Sequence, residues 1–234
     1  EEILSGIKKG VKAGAITPVV CCSAFTLAGV DMVLDMICEL MPSPKEADDE
    51  ICMDSDGNPV ELICADDQPL AAFVFKTIAD PFVGKMSYVK VLSGKLTADQ
   101  IPVNTTTGQP ERLGKIIFVK GKKQEDTPQI GAGDIGAVTK LAGTNTGDML
   151  CDPSRPLKCE PMEFPAPCLS IAFKPKAKGD EGKIAQALQR LMEEDRTIAY
   201  ENNVETKQQI VTGLGEQHLD VLVSKMKAKF GVDI

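Results

Sequence analysis

The sequence predicts a multidomain chain: an antiparallel β-barrel, then an α+β domain of the ferredoxin-like kind, with the tail of an α/β domain in front of both. Three observations carry this. Residues 69–158 break into short β-type runs at regular spacing, separated by Gly, Pro, Asn and Asp, with no helical period. Residues 159–234 read β-α-β-β-α and then begin one more strand, the split βαβ order. Residues 1–44 place one apolar run between two helical patterns, and a lone strand so placed cannot bury its faces by itself.

In chain order, the apolar run ITPVVCC (16–22) has the continuous hydrophobicity of a buried strand, and a loop of small residues, SAF, follows it. Val30, Val33, Ile37 and Leu40 then share one helical face, and PSP at 42–44 stops that helix. Residues 45–68 are polar and acidic and read as a linker, with an Asp56-Gly57 turn signal inside. The barrel runs are LAAFVFKTIA, SYVKVLSG, QIPVNTT, RLGKIIFVK and DIGAVTKL. In the second of these, Ser87, Val89 and Val91 alternate with Tyr88 and Lys90, which gives the strand two different faces. Beyond residue 158, Leu169, Ile171 and Phe173 alternate along one strand. Asp180 is placed to cap a helix whose buried stripe is Ile184, Ala187, Leu188 and Leu191. TIAYENN and QQIVTGLG form two further strands. A last helix buries Leu219, Leu222, Val223, Met226 and Phe230, and VDI opens a truncated final strand.

Composition narrows the function classes. At 43% hydrophobic residues the chain can fill packed cores, and at 4% aromatic those cores are aliphatic. There is no apolar run of about 18 residues, the length a membrane-spanning helix needs. The first residues, EEILSGIKKG, lack the basic-then-apolar order of a signal peptide and read as an internal start. The net charge of −8 equals the excess of nine acids over Lys45 within residues 45–67. The rest of the chain is therefore balanced, and local basic clusters such as KGKK (120–123) leave an RNA partner open.

Three site signals fail on inspection. The eight cysteines include no C-x-x-C pair, and a single histidine cannot complete a zinc set. A chain with an adequate core needs no covalent staples, so reduced thiols are expected. Aligning Asp54-x-Asp56-Gly57 as a calcium loop puts Cys52 and Ile63 where Asp and Glu are required. GAGDIG (131–136) matches a dinucleotide fingerprint, but it leads into a strand where the fingerprint must open a helix. His218 sits about 40° from Leu222 on the helical wheel, at the edge of the apolar stripe, where packing and a hydrogen bond are expected rather than catalysis or metal binding.

LAAFVFKTIADPFVGKMSYVKVLSG, AGDIGAV, TNTGDMLCD, MEFPAPCLSIAFKPK, LQRLMEEDRT and TGLGEQHLD, in this order and spacing, resemble the second and third domains of elongation factor G. VVCCSAF, GVDMVLD and LMPSP resemble the end of its GTPase domain. The resemblance covers nearly the whole chain. It implies a GTPase-domain tail at 1–44, an acidic linker at 45–68, a β-barrel of the translation-factor domain II type at 69–158 and a ferredoxin-like domain III at 159–234.

The resemblance further implies a ribosomal translocase that uses GTP and Mg²⁺, is cytoplasmic and monomeric, and has ribosomal RNA and proteins as direct partners. The tRNA–mRNA complex would be an indirect partner, and no membrane is involved. Ser23, Ala24 and Phe25 fall on the last guanine-binding loop. No G-x-x-x-x-G-K-[ST] phosphate loop occurs in these residues, so this stretch is not expected to bind nucleotide or hydrolyse GTP alone, and no catalytic residue or metal site is assigned to it. Asp80, Pro81, Phe82, Gly84 and Lys85 fall on a ribosome-contacting segment, with Lys85 as the phosphate contact. The same Pro and Gly would equally suit a plain turn, and both readings stand. Gly213, Gly215, Glu216 and His218 fall at an interdomain surface beside the fusidic acid pocket. Departures from the family pattern include Lys207 where Gly is usual, Gln217 where Leu is usual and Arg196 where Pro is usual. They keep open a paralogue for ribosome recycling, a ribosome-protection GTPase of the tetracycline-resistance type, and a purely structural module.

Overall fold

The computed structural model describes residues 2–80, 83–177 and 179–234, in two compact units that divide after Glu50. In the first unit, α1 spans Glu2–Lys12 and α2 spans Val30–Leu40. The predicted α2 forms, and its turn of entry places Gly29 at φ 74°, a left-handed conformation that favours glycine. Neither helix buries a residue completely. Residues 16–22, expected as a buried strand, are extended and mostly exposed. Their backbone has no partner strand among the described residues, and an isolated apolar run without a ladder is not a strand. Lys8 and Lys12 pair with Glu46 and Asp48 at 3.0 and 3.2 Å, exposed contacts that contribute little to stability.

The second unit begins with a hairpin where the sequence suggested linker. β1 (Glu50–Met53) and β2 (Pro59–Leu62) pair across the predicted Asp-Gly turn, with Gly57 at φ 85°. Asp54 organises that turn by accepting from the N–H groups of Asp56 and Asn58 at 2.9 and 2.8 Å. The reason the segment folds is its inner side: Cys52 and Leu62 are buried against Ala71, Leu92, Met149 and Leu157. Met53 and Lys158 exchange backbone hydrogen bonds of 2.7 and 2.8 Å. One residue on either side, Cys52 and Cys159 form a disulfide across a separation of 107 residues. The expectation of eight reduced thiols is thereby corrected: two cysteines distant in sequence become neighbours once the hairpin packs on the chain leaving the barrel.

The barrel comprises β3 (Ala71–Asp80), β4 (Gly84–Ser93), β5 (Leu96–Thr97), β6 (Val103–Asn104), β7 (Gln109–Pro110), β8 (Ile116–Lys120), β9 (Lys123–Asp126), β10 (Gln129–Ile130), β11 (Ile135–Thr139) and β12 (Met149–Cys151). Eight of these form one sheet in the order β7-β6-β12-β3-β4-β11-β8-β9, and β5 pairs with β10 separately. The pairings are antiparallel. The two sheets enclose an aliphatic core in which Val74, Val89, Leu96, Ile116, Ile130, Val138 and Leu150 meet from seven strands. The glycine-rich GAGDIG leads into β11 and no helix, as its strand reading required.

The C-terminal domain consists of β13 (Leu169–Phe173), α3 (Glu181–Glu194), β14 (Ala199–Asn203), β15 (Gln208–Gly213) and α4 (Glu216–Phe230). The sheet order β13-β15-β14 puts the third strand between the first two, as a split βαβ unit requires. The predicted stripes meet here: Ile184, Ala187, Leu188 and Leu191 of α3 pack with Leu219, Leu222 and Met226 of α4. Two details differ from expectation. Asp180 occupies the N-cap position, but its carboxylate pairs with Lys183 at 3.0 Å and makes no cap hydrogen bond. Residues 231–234 are not a strand: Val232 is buried, and Lys176, just beyond β13, meets Asp233 through a 3.1 Å bond from its N–H to Asp233 O and an ion pair of 3.0 Å, but a single backbone bond is too little for a ladder.

Candidate functional site

The residues singled out in the sequence lie in three places. In the first unit, Ser23, Ala24 and Phe25 form a tight turn. Ser23 N–H donates to Ala28 O at 2.9 Å, and Ser23 Oγ accepts from Thr26 N–H at 3.3 Å. Phe25 projects almost fully into solvent, at 98% exposure. A short polar loop followed by an exposed ring can meet the edge of a planar ligand, but it supplies no group for a phosphate.

The second place is the β3–β4 hairpin tip. Asp80 and Gly84 are register partners, Gly84 adopts φ 86°, and Asp80 Oδ1 accepts from Val83 N–H at 2.8 Å. Nothing lies within 4 Å of the position a Gly84 side chain would take, so glycine is there for its backbone conformation and not for space. Lys85 follows at once, its ammonium 3.3 Å from Asn145 Oδ1 and its carbonyl accepting from Lys140 N–H at 3.0 Å. The geometry brings Asp80, Gly84 and Lys85 together at one end of the hairpin. Pro81 and Phe82 lie outside the described residues.

The third place surrounds the start of α4. Gly213 ends β15, and a Cβ there would sit 2.8 Å from Leu219 Cδ2 and 2.9 Å from His218 Nδ1, so the first turn of α4 packs where a side chain would be. Gly215 is extended at the N-cap and leaves open space around it. Glu216 places its carboxylate in the first turn, which suits the helix dipole. His218 Nδ1 accepts from Leu214 N–H at 3.0 Å, so the ring proton resides on Nε2 and is donated to Asp195 Oδ2, also at 3.0 Å. Both ring nitrogens are thus engaged within the C-terminal domain, as a histidine that completes packing would be. Burial pushes the Asp195 carboxyl up. Hydrogen bonds from Thr197 and His218 outweigh that and hold it below the usual carboxylate range.

Asp195 was not singled out from sequence, nor was the cluster beside it. Glu194, only 13% exposed at its side chain, accepts from Lys225 and Lys229 at 2.8 Å each and from Ala79 N–H at 3.2 Å. One carboxylate therefore joins α3, α4 and the barrel strand β3. Burial raises its pKa, but the two lysines and the Ala79 N–H outweigh this, and the net shift is downward. Arg196 adds a second tie: its guanidinium lies 5.7 Å from the Phe164 ring centroid and donates to Thr146 O at 3.4 Å. Glu194 lies 31 and 35 residues from the two lysines, so no sequence spacing announces the cluster. Among the described residues, no group of three or more His, Cys, Asp or Glu side chains is arranged to hold a metal ion. Among them, too, no helix is long and apolar enough to cross a membrane.

The barrel, with Asp80 and Lys85 together at one hairpin tip, is thus tied through one carboxylate to a split βαβ domain. Comparison with known families assigns both domains: residues 69–153 match elongation factor G domain 2, and residues 164–234 match elongation factor G domain III. Together the two consecutive domains account for about two thirds of the sequence, and the chain belongs to the elongation factor G family. A crystal structure of a protein from Thermus thermophilus is similar over 99% of this chain, with 27% sequence identity and a TM-score of 0.76. The chain spans 32% of that protein's length.

Proposed function

We propose that this chain is part of a ribosomal translocase of the elongation factor G kind, a cytoplasmic monomer that moves tRNA and mRNA through the ribosome by one codon. In this reading GTP and Mg²⁺ bind to a nucleotide domain of which residues 1–44 are the tail, and Ser23, Ala24 and Phe25 border the guanine. Cleavage of GTP supplies the free energy for domain movement. The residues of this chain receive and transmit that movement.

The observation that carries the reading is the succession of domains 2 and 3, joined through Glu194. A carboxylate that holds Ala79 of the barrel and two lysines of α4 makes the domains respond together to a displacement of either. The β3–β4 tip, with Lys85 at its base, docks on ribosomal RNA phosphate. Gly213, Gly215, Glu216 and His218 form the interdomain surface beside the fusidic acid pocket. Lys207, Gln217 and Arg196 keep open, as second readings, a paralogue specialised for ribosome recycling and a ribosome-protection GTPase of the tetracycline-resistance type.

Ribosome pelleting tests the docking. The chain should sediment with ribosomes at low salt, and Lys85→Glu should weaken this at least about fivefold, in line with losing one phosphate contact and adding a repulsion. A chain that stays in the supernatant at every salt concentration would leave only the structural-module reading.

A further inference from the structure

At the far end of the three-stranded sheet from His218, a cavity of about 500 Å³ opens between the end of β13 and the β14–β15 turn. Its wall contains Phe173, Lys174, Pro175, Lys207 and Gln209, and no acidic residue. The volume falls within the range of small-molecule sites, about 300–1,000 Å³.

Two features of this wall are unexplained by folding, and a third sets Gln209 beside the Phe173 ring, which also packs on the domain core with its centroid 6.2 Å from that of Tyr200. Lys207 stands at φ 53°, in the left-handed region that disfavours any side chain and suits glycine. The turn that carries it is held firmly, since Asn203 Oδ1 accepts from the N–H groups of Glu205 and Thr206 at 3.0 Å each. A strained backbone kept in place by its surroundings, at the mouth of a cavity, points to a use for its side chain. Next, Gln209 Oε1 is buried and has no hydrogen-bond partner. An orphan acceptor lining a cavity is satisfied by a ligand that brings a donor. Finally, Gln209 and Phe173 are register partners, so the acceptor and the ring lie on the same face of the sheet.

We propose that this cavity binds a nucleotide, base and phosphate together, either free or as an unpaired residue of RNA. The planar base lies against Phe173 and Pro175, and a ring or exocyclic N–H donates to Gln209 Oε1. The phosphate sits between the ammonium groups of Lys174 and Lys207 at the rim, each acting as a point charge. The side-chain carboxylates of an acidic peptide would meet the lysines but are acceptors only, and they bring no donor to Gln209 Oε1. The proposal rests on the cavity alone and does not depend on the ribosome reading.

The test uses the whole 234-residue chain and a short fluorescein-labelled single-stranded RNA, read by fluorescence anisotropy. Binding is expected, and Lys174→Gln and Lys207→Gly should each weaken it at least about fivefold and lower the salt slope by about 0.7. Lys207→Gly should at the same time leave the melting temperature unchanged or raise it, because glycine relieves the left-handed strain. A merely structural lysine would not combine weaker binding with equal or greater stability. Competition by adenosine monophosphate assigns the site to a free nucleotide, and competition by single-stranded RNA alone assigns it to RNA. Absence of binding, binding that survives both substitutions, or displacement by polyglutamate but by neither nucleotide would overturn the proposal. Ribosome pelleting that remains sensitive to Lys85→Glu when the oligonucleotide result is negative would show that only this inference has failed.

Discussion

His218 ties two parts of the C-terminal domain to each other. Its two nitrogens join the β15–α4 loop, through Leu214, to the end of α3, through Asp195. His218→Ala removes both bonds and leaves Asp195 with its Thr197 partners only, at a cost of about 0.5–1.5 kcal/mol in chemical denaturation. Leu222→Ala, at a site 1% exposed between the two helices, should cost about 2–5 kcal/mol. The reverse ranking would place His218 at the centre of the core and contradict this account. The histidine's boundary position was legible in the sequence because helical spacing fixes its angle to Leu222. Its partner was not, since Asp195 lies across a loop, a hairpin and a turn.

Among the elements, the junction of β3, α3 and α4 depends on one charge. Glu194 has a folded-state pKa below its ordinary value of 4.5, so it contributes stability above that pH and loses the contribution as pH falls below it. Glu194→Gln should therefore cost about 1.5–3 kcal/mol near neutral pH, the scale of hydrogen bonds to a charged group. The gap from the unsubstituted chain should close as the pH falls below about 4.5, when the glutamate itself is protonated. A gap that does not change with pH would mean that shape and not charge holds the junction. The β1–β2 hairpin makes a different point. An acidic, turn-rich segment reads as linker because its charge is visible in sequence, whereas its few inward residues, Cys52 and Leu62, form no pattern long enough to detect. The disulfide to Cys159 was illegible for the same reason. Denatured without reductant, the chain should show six reactive thiols and not eight. Reduction should cost about 2–4 kcal/mol, because the bond closes a loop of more than a hundred residues. Denaturation is needed to reach all six, since Cys151 is buried, which pushes its thiol up to about 11.

For the whole molecule, the barrel and the split βαβ domain were readable because each element carries its own period and each boundary its own turn residue. The barrel's strand order, β7-β6-β12-β3-β4-β11-β8-β9, was not readable, because it rests on pairings between runs distant in sequence. The run at 16–22 forms no ladder among the described residues, because a strand is defined by neighbours and hydrophobicity alone does not supply them. The charge cluster at Glu194 and the cavity at Lys207 exist only after folding brings distant residues together. The proposed work of this chain within a translocase is tested by following mRNA position on ribosomes carrying a pre-translocation tRNA pair, with a full-length factor that contains this chain. The account predicts GTP-dependent movement by one codon, slowed by Glu194→Gln without loss of ribosome binding. Subunit splitting or tetracycline release with no movement of the mRNA would contradict it.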